Sequence, residues 1–416
     1  MYKPNNKFKM MEISTINLVY AISFLDLFAV GLTFPLFANH LRELGASHTL
    51  VGVCSSVYSG LQLFSGPLIG GWSDVRGRKS VLKITLLLCA ISYGFLGLTT
   101  SILCIILLRI VLGITKHTQS ICKAVISDLI PPGDQTGVYG RSAALSSLGF
   151  IVGPFLGGHL SEIKHGFTYV SGVTALAFLV NLGLATLLPS ESGNGNIHDN
   201  DVSLIRGIKR EFAKTVKELN DIDWKVHWDS FLLRFLFCLA ITCYFSNQSL
   251  YLREKYELSQ KHIGYIISFF STIGMFSAFF LDQINSFYKD DHTCFTRLFH
   301  FSLLLTSCFM AIAFSPNLSV LLLLMVPFSV ASTALRVVSM ELMLKKSDES
   351  HTGSLSGASN SVMSLARFLT PFLTGVISDI FTEKSVMFVG ILPSVLCVFL
   401  TLYMKKYVAN TEDKNK

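Results

Sequence analysis

The chain has 416 residues, of which 51% are hydrophobic and 15% charged, and its mean hydropathy is +0.53. Because a soluble protein carries about 25% charged residues, this composition excludes a soluble domain and indicates a polytopic membrane protein. The formal net charge of +7 is scattered over short connections, so it indicates contact with anionic lipid and not with nucleic acid. Most of the nine cysteines lie in apolar runs without metal-ligand spacing, and we expect neither a metal site nor a cofactor.

Twelve apolar runs follow one another along the chain, and each is about long enough to cross a bilayer as a helix, which takes roughly 20 residues. They lie near 13–38, 49–72, 81–99, 101–126, 137–160, 167–188, 229–251, 261–283, 295–315, 317–342, 353–378 and 385–404. We therefore predict an all-α membrane protein with twelve transmembrane helices in two six-helix halves, 1–188 and 228–416, joined by a cytoplasmic loop at 189–227. Lys and Arg are far more frequent in the segments that would be inside, which predicts that both termini are cytoplasmic.

Asp26 lies within the first run. An acid inside the membrane costs about 3 kcal/mol on insertion scales, so it should face a cavity or a partner. Because burial favours the neutral form of a carboxyl, Asp26 is the first candidate for proton coupling or cation contact. The alternative is a structural acid that a neighbouring helix neutralises.

The connection between the second and third runs, residues 70–79, is short and carries one acid and three bases. Bases in such a connection mark the cytoplasmic side of a membrane. Gly77 lets the chain reverse with a positive φ. Asp74 can pair with Arg78 or accept from exposed amides at a helix N-terminus.

The fourth run places polar residues at steps of three or four, which predicts that they share one helix face. These residues are Arg109, Gly113, Lys116, Ser120, Lys123 and Ser127. Arg109 cannot deprotonate, so its role would be to tune a nearby acid, or it forms a structural pair. Lys116 and His117 can carry protons or bind an anionic group, although a single membrane histidine is also typical of a satisfied hydrogen-bonding group.

The fifth run contains glycines at four-residue spacing around Pro154, which predicts backbone-to-backbone helix packing and a bend. The two halves repeat, since five small or proline residues recur at one constant offset. The first set is Gly140, Ser142, Pro154, Gly158 and Ser161, and the second is Gly357, Ser359, Pro371, Gly375 and Ser378. The repeat predicts two parallel halves with a substrate site at their interface.

Residues 204–219 predict an amphipathic basic helix on the inner membrane surface, or else a solvated linker. The second half offers Arg234, Arg336 and Arg367 as cavity charges, without an acid that corresponds to Asp26. This excess of cations favours an anionic or amphipathic substrate, although Arg336 and Arg367 can also serve packing near the inner surface.

Three stretches resemble motifs of the major facilitator superfamily. Residues 70–79 resemble its loop between helices 2 and 3, with Trp72 and Val75 as departures, while 108–113 and 149–158 resemble its helix-4 and helix-5 motifs. Asp26 with a proline nine residues later resembles the tetracycline-efflux-like drug/proton antiporters of that superfamily. Within this branch, residues 115–129 resemble the animal group called major facilitator superfamily domain-containing protein 9, which implies a fold and a mechanism class but no substrate.

The resemblance implies roles for individual residues. It links Arg109 to proton transfer, and it implies a pair between Asp128 and Arg78. The implied cytoplasmic latch consists of Gly70, Asp74, Gly77, Arg78, Lys79 and Asp128. The implied gating hinge consists of Gly149, Gly153, Pro154, Gly157 and Gly158, with Pro371 as the surviving counterpart in the second half.

We therefore expect a secondary transporter of a small organic solute that works by alternating access, with proton-coupled antiport favoured. The alternatives are a uniporter or symporter of the same fold, or a membrane scaffold or receptor that does not transport. The sequence has no phosphate-binding G-x-x-x-x-G-K-[ST] loop and no nucleophile–base set, so we expect neither an ATP-driven pump nor an enzyme. The expected partners are the solute, protons and the lipid bilayer, and the expected oligomeric state is a monomer.

Overall fold

The computed structural model describes residues 6–131, 133–189, 213, 222–289, 291–346 and 352–414. Helices and their connections account for these residues, and none of them lies in a strand. The α-helices are α1 (Asn6–Glu43), α2 (His48–Arg76), α3 (Arg78–Leu98), α4 (Ile102–Thr115), α5 (Thr118–Leu129), α6 (Gln135–Ser161), α7 (Gly166–Leu187), α8 (Trp224–Tyr256), α9 (Gln260–Phe279), α10 (Leu281–Asn285), α11 (Phe295–Ala313), α12 (Leu318–Lys345), α13 (Thr352–Ile380) and α14 (Val386–Lys414). Short 3-10 helices occupy Ser286–Tyr288 and Glu383–Ser385.

Eleven segments of the described chain are long and apolar enough to cross a membrane. One of them, Ile102–Leu129, combines α4 and α5. α2 has 29 residues and is also long enough, but it carries more polar side chains, such as Gln62 and Asp74. The predicted all-α membrane fold is confirmed.

Most of the predicted loop at 70–79 is helical, which corrects the sequence interpretation. α2 continues to Arg76 and α3 begins at Arg78, so Gly77 is the single residue between them. Gly77 has a φ of 86°, in the region that favours glycine. The predicted positive φ is therefore confirmed, while the connection is shorter than the sequence indicated.

The fourth membrane segment is broken, whereas the periodicity predicted one continuous helix. α4 ends at Thr115 and α5 begins at Thr118. Between them, Lys116 has φ −78° and ψ 69°, and His117 has φ −122° and ψ 20°. Steps of three and four residues place side chains on one face only in an unbroken helix, so the predicted common face does not extend through this point.

The chain forms two compact units, and each combines segments that are distant in sequence. One contains Met1–His40, Leu61–Thr215 and Gln260–Ser268, and the other contains Leu41–Gly60, Val216–Ser259 and Phe269–Lys416. In the first unit α3 packs on α7, where Tyr93 and Phe178 stack with ring centroids 5.2 Å apart. In the second unit α8 packs on α13 and α14, and α11 packs on α12 and α14.

The boundaries at 188 and 228 remain predictions. The amphipathic helix predicted for 204–219 lies outside the described residues, apart from residue 213.

Candidate functional site

A buried ion pair joins α1 to the break between α4 and α5. Asp26 is fully buried, and its Oδ1 lies 2.5 Å from Nζ of Lys116, whose side chain is 6% exposed. Asp26 comes from the interior of α1, and Lys116 directly follows the end of α4. The partner that the sequence required for Asp26 is therefore this lysine.

Gln119, which the sequence reasoning missed, binds the second carboxylate oxygen. Its Nε2 donates to Oδ2 of Asp26 at 3.0 Å and to the carbonyl of Ser23 at 2.9 Å. Its Oε1 accepts from Oγ of Ser146 at 3.2 Å. The network thus connects α1, α5 and α6, and the only sequence signal for Gln119 was a polar residue three positions after Lys116.

Two contacts to Lys116 stabilise the helix break, one to its backbone carbonyl and one to its side-chain ammonium group. Nε2 of Gln62 in α2 donates to the Lys116 carbonyl at 3.0 Å, so it binds a backbone acceptor at the end of α4. Nζ of Lys116 lies 5.4 Å from the ring centroid of Phe178, which is within the range of a cation–π contact. The cation therefore faces a carboxylate and an aromatic ring.

His117 and Arg109 make other contacts in the first unit. Nε2 of His117 lies 2.7 Å from Oγ of Ser65, which donates to the carbonyl of Gly113 at 3.1 Å. With the Ser65 proton directed to Gly113, His117 is the donor in its own bond. Cζ of Arg109 lies 3.4 Å from the ring centroid of Phe37. These contacts anchor both side chains.

Arg78 joins the start of α3 to the ends of two other helices. It pairs with Asp74 of α2, and its Nε donates to Oδ2 of Asp128 in α5 at 2.9 Å. Its Nη1 donates to Oγ of Ser73 at 2.6 Å. The contact between Arg78 and Asp128 that the sequence implied is present in the structure.

Two further predicted latch residues take part in hydrogen bonds to or from the backbone. Nζ of Lys79 donates to the Leu188 carbonyl at 2.5 Å, which ties the start of α3 to the end of α7. The carbonyl of Gly70 accepts from Oγ of Ser73 at 2.7 Å.

The glycines of α6 bring its backbone against the backbone of α1. A Cβ atom at any of three glycines spaced four residues apart would lie too close to a carbonyl oxygen of α1. The distances would be 2.3 Å for Gly149 to Phe24, 2.6 Å for Gly153 to Phe28 and 2.2 Å for Gly157 to Leu32. This contact accounts for the four-residue spacing.

The repeated prolines occupy equivalent contacts, one in each unit. A Cβ atom at Gly264 would lie 2.3 Å from the carbonyl oxygen of Pro154 and 3.2 Å from Cα of Gly158. A Cβ atom at Gly52 would lie 2.2 Å from the carbonyl oxygen of Pro371. In each unit, therefore, the first turns of a helix from the other half of the sequence pack against the proline-containing helix.

Arg234, the remaining predicted site residue, lies in the second unit. It is 5% exposed, and its Nη1 donates to Oγ of Ser339 at 3.0 Å and to the Arg336 carbonyl at 3.3 Å. It lines a cavity of about 710 Å³ between α8, α12 and α13. The structure thus places Arg234 in a different unit from Asp26.

A charged cluster that the sequence did not predict surrounds the first residue of α2. Nδ1 of His48 lies 3.1 Å from Oε2 of the buried Glu383, and Nε2 lies 3.4 Å from Oε1 of Glu254. The His48 amide donates to Oδ1 of Asp379 at 2.9 Å. The adjacent Glu383 carboxylate raises the pKa of His48 above its usual value, against the opposing effect of burial. These residues are distant in sequence, and only their positions at the ends of apolar runs could have indicated them.

Residues 17–371 match the family model of the Major Facilitator Superfamily. Tetracycline resistance protein, class H, of Pasteurella multocida is 30% identical over 173 residues, which cover 41% of this chain and 43% of that protein. The match therefore spans less than half the length of that relative. Quinolone resistance protein NorA of Staphylococcus aureus (strain MSSA476) is 22% identical over 415 residues, which cover 95% of this chain and 98% of that protein.

Solved structures agree on the fold. The crystal structure of the human organic anion transporter MFSD10 (TETRAN) superposes with a TM-score of 0.65 and 19% identity, over 94% of this chain and 99% of that one. The family match covers most of the sequence, and the helices and their repeated contacts agree with it. The chain therefore belongs to the Major Facilitator Superfamily, a family of multi-pass membrane proteins.

Proposed function

We propose that the protein moves a small organic solute across the membrane by alternating access, in exchange for protons that bind and leave Asp26. The observation that carries this proposal is the fully buried ion pair between Asp26 and Lys116. Buried ion pairs are costly to desolvate, and ionisable groups inside membrane segments mark substrate and ion pathways. This pair also lies at a broken helix, a feature typical of ion and substrate sites in secondary transporters.

A proton on Asp26 would undo the pair. The neutral carboxyl no longer attracts Lys116, whose charge then remains beside Phe178 without a carboxylate. An uncompensated buried cation is strongly unfavourable unless water or an anion reaches it. Protonation therefore favours an open state of this region, and return of the carboxylate to Lys116 releases the proton.

α5 is a short helix that links the ion pair to the proposed latch. Its first turn carries Gln119, which binds Asp26, and its last turn carries Asp128, which binds Arg78. Twelve helical residues form a rod of roughly 18 Å. A shift of α5 when Asp26 is protonated would therefore strain the Arg78–Asp128 contact at the predicted cytoplasmic end.

The test is reconstitution into liposomes that contain a pH-sensitive dye, followed by a screen of small organic solutes. We expect that an active solute added on one side moves protons in the opposite direction in the wild type. Asp26→Asn should abolish the dye signal. A solute flux with a silent dye that Asp26→Asn leaves unchanged would contradict antiport and favour a uniporter.

Folding is controlled with the double variant Asp26→Asn, Lys116→Gln, which removes both charges together. Replacing both members of a buried pair avoids an unpaired charge, so this variant should fold and still lack proton movement. Inward proton movement in the same direction as the solute would indicate a symporter. No flux of any solute in well-folded wild type would favour a scaffold or receptor.

A further inference from the structure

The cavity between α8, α12 and α13 carries positive charge that no described carboxylate neutralises. Arg234 and Arg336 both line it. Arg234 is 5% exposed, and its Nε has no hydrogen-bond partner within the described part of the chain. Its other nitrogens donate to neutral groups, which are Ser339 Oγ, the Arg336 carbonyl and Met363 Sδ.

Among the described residues that line the cavity, Glu341 is the acid, and it is already engaged. Oε1 of Glu341 lies 3.0 Å from Nη2 of Arg297 and 2.7 Å from Nζ of Lys345. Within the described ranges, no acid forms an ion pair with Arg234 or Arg336. Among the described lining residues, the two guanidinium groups therefore have no carboxylate to balance them.

The remaining wall is suited to an organic ligand. Val337, Met340 and Leu344 supply apolar surface, while Ser356 and Asn360 supply neutral hydrogen-bonding groups. The volume of about 710 Å³ lies in the range of about 300–1,000 Å³ that is usual for small-molecule sites. Arg234 is buried, whereas Arg336 is exposed. A buried cation without a carboxylate partner is costly, and an anion offsets that cost.

We propose that this cavity binds a small organic anion, whose carboxylate, phosphate or sulfonate contacts Arg234 and Arg336 while its apolar body contacts α12. Guanidinium groups suit these oxyanions because their planar donors bind two oxygens at once. The inference names the solute class for the proposed transport function and rests on that function. An anionic lipid headgroup offers the same chemistry as a free solute.

The test is direct binding of 5-carboxyfluorescein, an organic anion, to the full chain in phosphatidylcholine nanodiscs, read by fluorescence polarisation. Rhodamine 123 serves as a cation with a similar ring system. We expect carboxyfluorescein to bind and rhodamine 123 not to bind. Arg336→Gln should weaken binding about tenfold or more, and Arg336→Lys should retain part of it. Arg253→Gln is the matched control, because Arg253 lies near the other end of α8 in an exposed pair with Glu43.

The variants separate the possible outcomes. Competition by inorganic phosphate would support the site for free anions, and weaker probe binding in phosphatidylglycerol nanodiscs would support it for a lipid headgroup. Equal binding of both dyes, no binding by folded protein, or binding that Arg336→Gln leaves unchanged would overturn the proposal. Arg336-dependent probe binding by the wild type without proton movement would contradict antiport and leave the anion site standing.

Discussion

Asp26 and Lys116 stabilise each other only as a pair. With Oδ1 and Nζ 2.5 Å apart and both side chains buried, loss of either charge leaves the other one in surroundings of low polarity. Breaking a buried pair from one side costs about 3–5 kcal/mol, whereas replacing both partners is often neutral. The free-energy cost of the double replacement therefore distinguishes an interacting pair from two independent residues.

A double-mutant cycle measures that asymmetry. We expect Asp26→Asn and Lys116→Gln each to lower the melting temperature of the purified protein, because each removes about 3–5 kcal/mol from the free energy of unfolding. The double variant should recover most of this loss. Additive losses in the double variant would show that the two side chains do not interact.

His48 gives the second unit a dependence on pH. Its partners are Glu383 and Glu254, while Arg42 opposes its charge, and the raised pKa means that the folded protein holds the His48 proton more tightly. This stabilisation is fully present below the ordinary histidine pKa of about 6.5. It is lost as the pH rises through the folded pKa.

The corresponding prediction concerns His48→Gln. The variant should melt at a lower temperature than the wild type near pH 5, and the difference should shrink as the pH rises through the folded-state pKa of His48, because the wild-type imidazole then loses its charge. Glu383→Gln should remove most of the same pH dependence. A difference that is constant over this pH range would exclude the ion pair as its cause.

At single residues, the sequence was informative where the chemistry is local. An acid inside an apolar run had to find a partner, and a glycine between two runs predicted a positive φ. The identity of the Asp26 partner could not be derived, because Lys116 reaches it through a break that depends on tertiary contacts. His48 and Glu383 were missed because they come together only in the folded chain.

At the scale of whole helices, the close packing of α6 on α1 depends on glycines, which have no side chain at the contact. Gly157 lies so close to α1 that a Cβ atom would be 2.2 Å from the carbonyl oxygen of Leu32. Gly140 on the same helix has no atom within 4 Å of the corresponding position. The two glycines therefore separate the effect of close packing from that of helix propensity.

Gly157→Ala should lower the melting temperature and the yield of folded protein, because overpacking costs about 1–3 kcal/mol. Gly140→Ala should be neutral or stabilising, by up to about 1 kcal/mol, because alanine favours a helix more than glycine does. Size-exclusion profiles and melting curves of both variants provide the measurement. Equal effects of the two substitutions would contradict the packing account.

The α4–α5 break shows the limit of periodicity at this scale. The stretch from Thr115 to Thr118 has neither proline nor glycine, so sequence pattern alone favours an unbroken helix. The Gln62 side chain binds the backbone carbonyl of Lys116, and the ion pair with Asp26 holds the Lys116 side chain. Both contacts come from other helices, which a local pattern does not include.

Across the whole molecule, the internal repeat predicted more of the helix packing than the individual motifs did. Pro154 and Pro371 occupy equivalent places in the sequence repeat, and each lies against a glycine from the other half, Gly264 and Gly52. The fold was predictable because twelve long apolar runs permit few arrangements in a membrane. The chemistry is less symmetric, since the buried acid–lysine pair lies in one unit and the two arginines that line the cavity lie in the other.

In the proposed function, Asp26 binds the proton in one unit and the cavity lined by Arg234 and Arg336 binds the solute in the other. The most direct test is accumulation of a transported organic anion in liposomes under an imposed proton gradient. Wild type should concentrate the anion against its own gradient. Asp26→Asn, Lys116→Gln should only equilibrate it, and Arg253→Gln should behave as wild type. Accumulation by the double variant to the wild-type level would contradict proton coupling at Asp26.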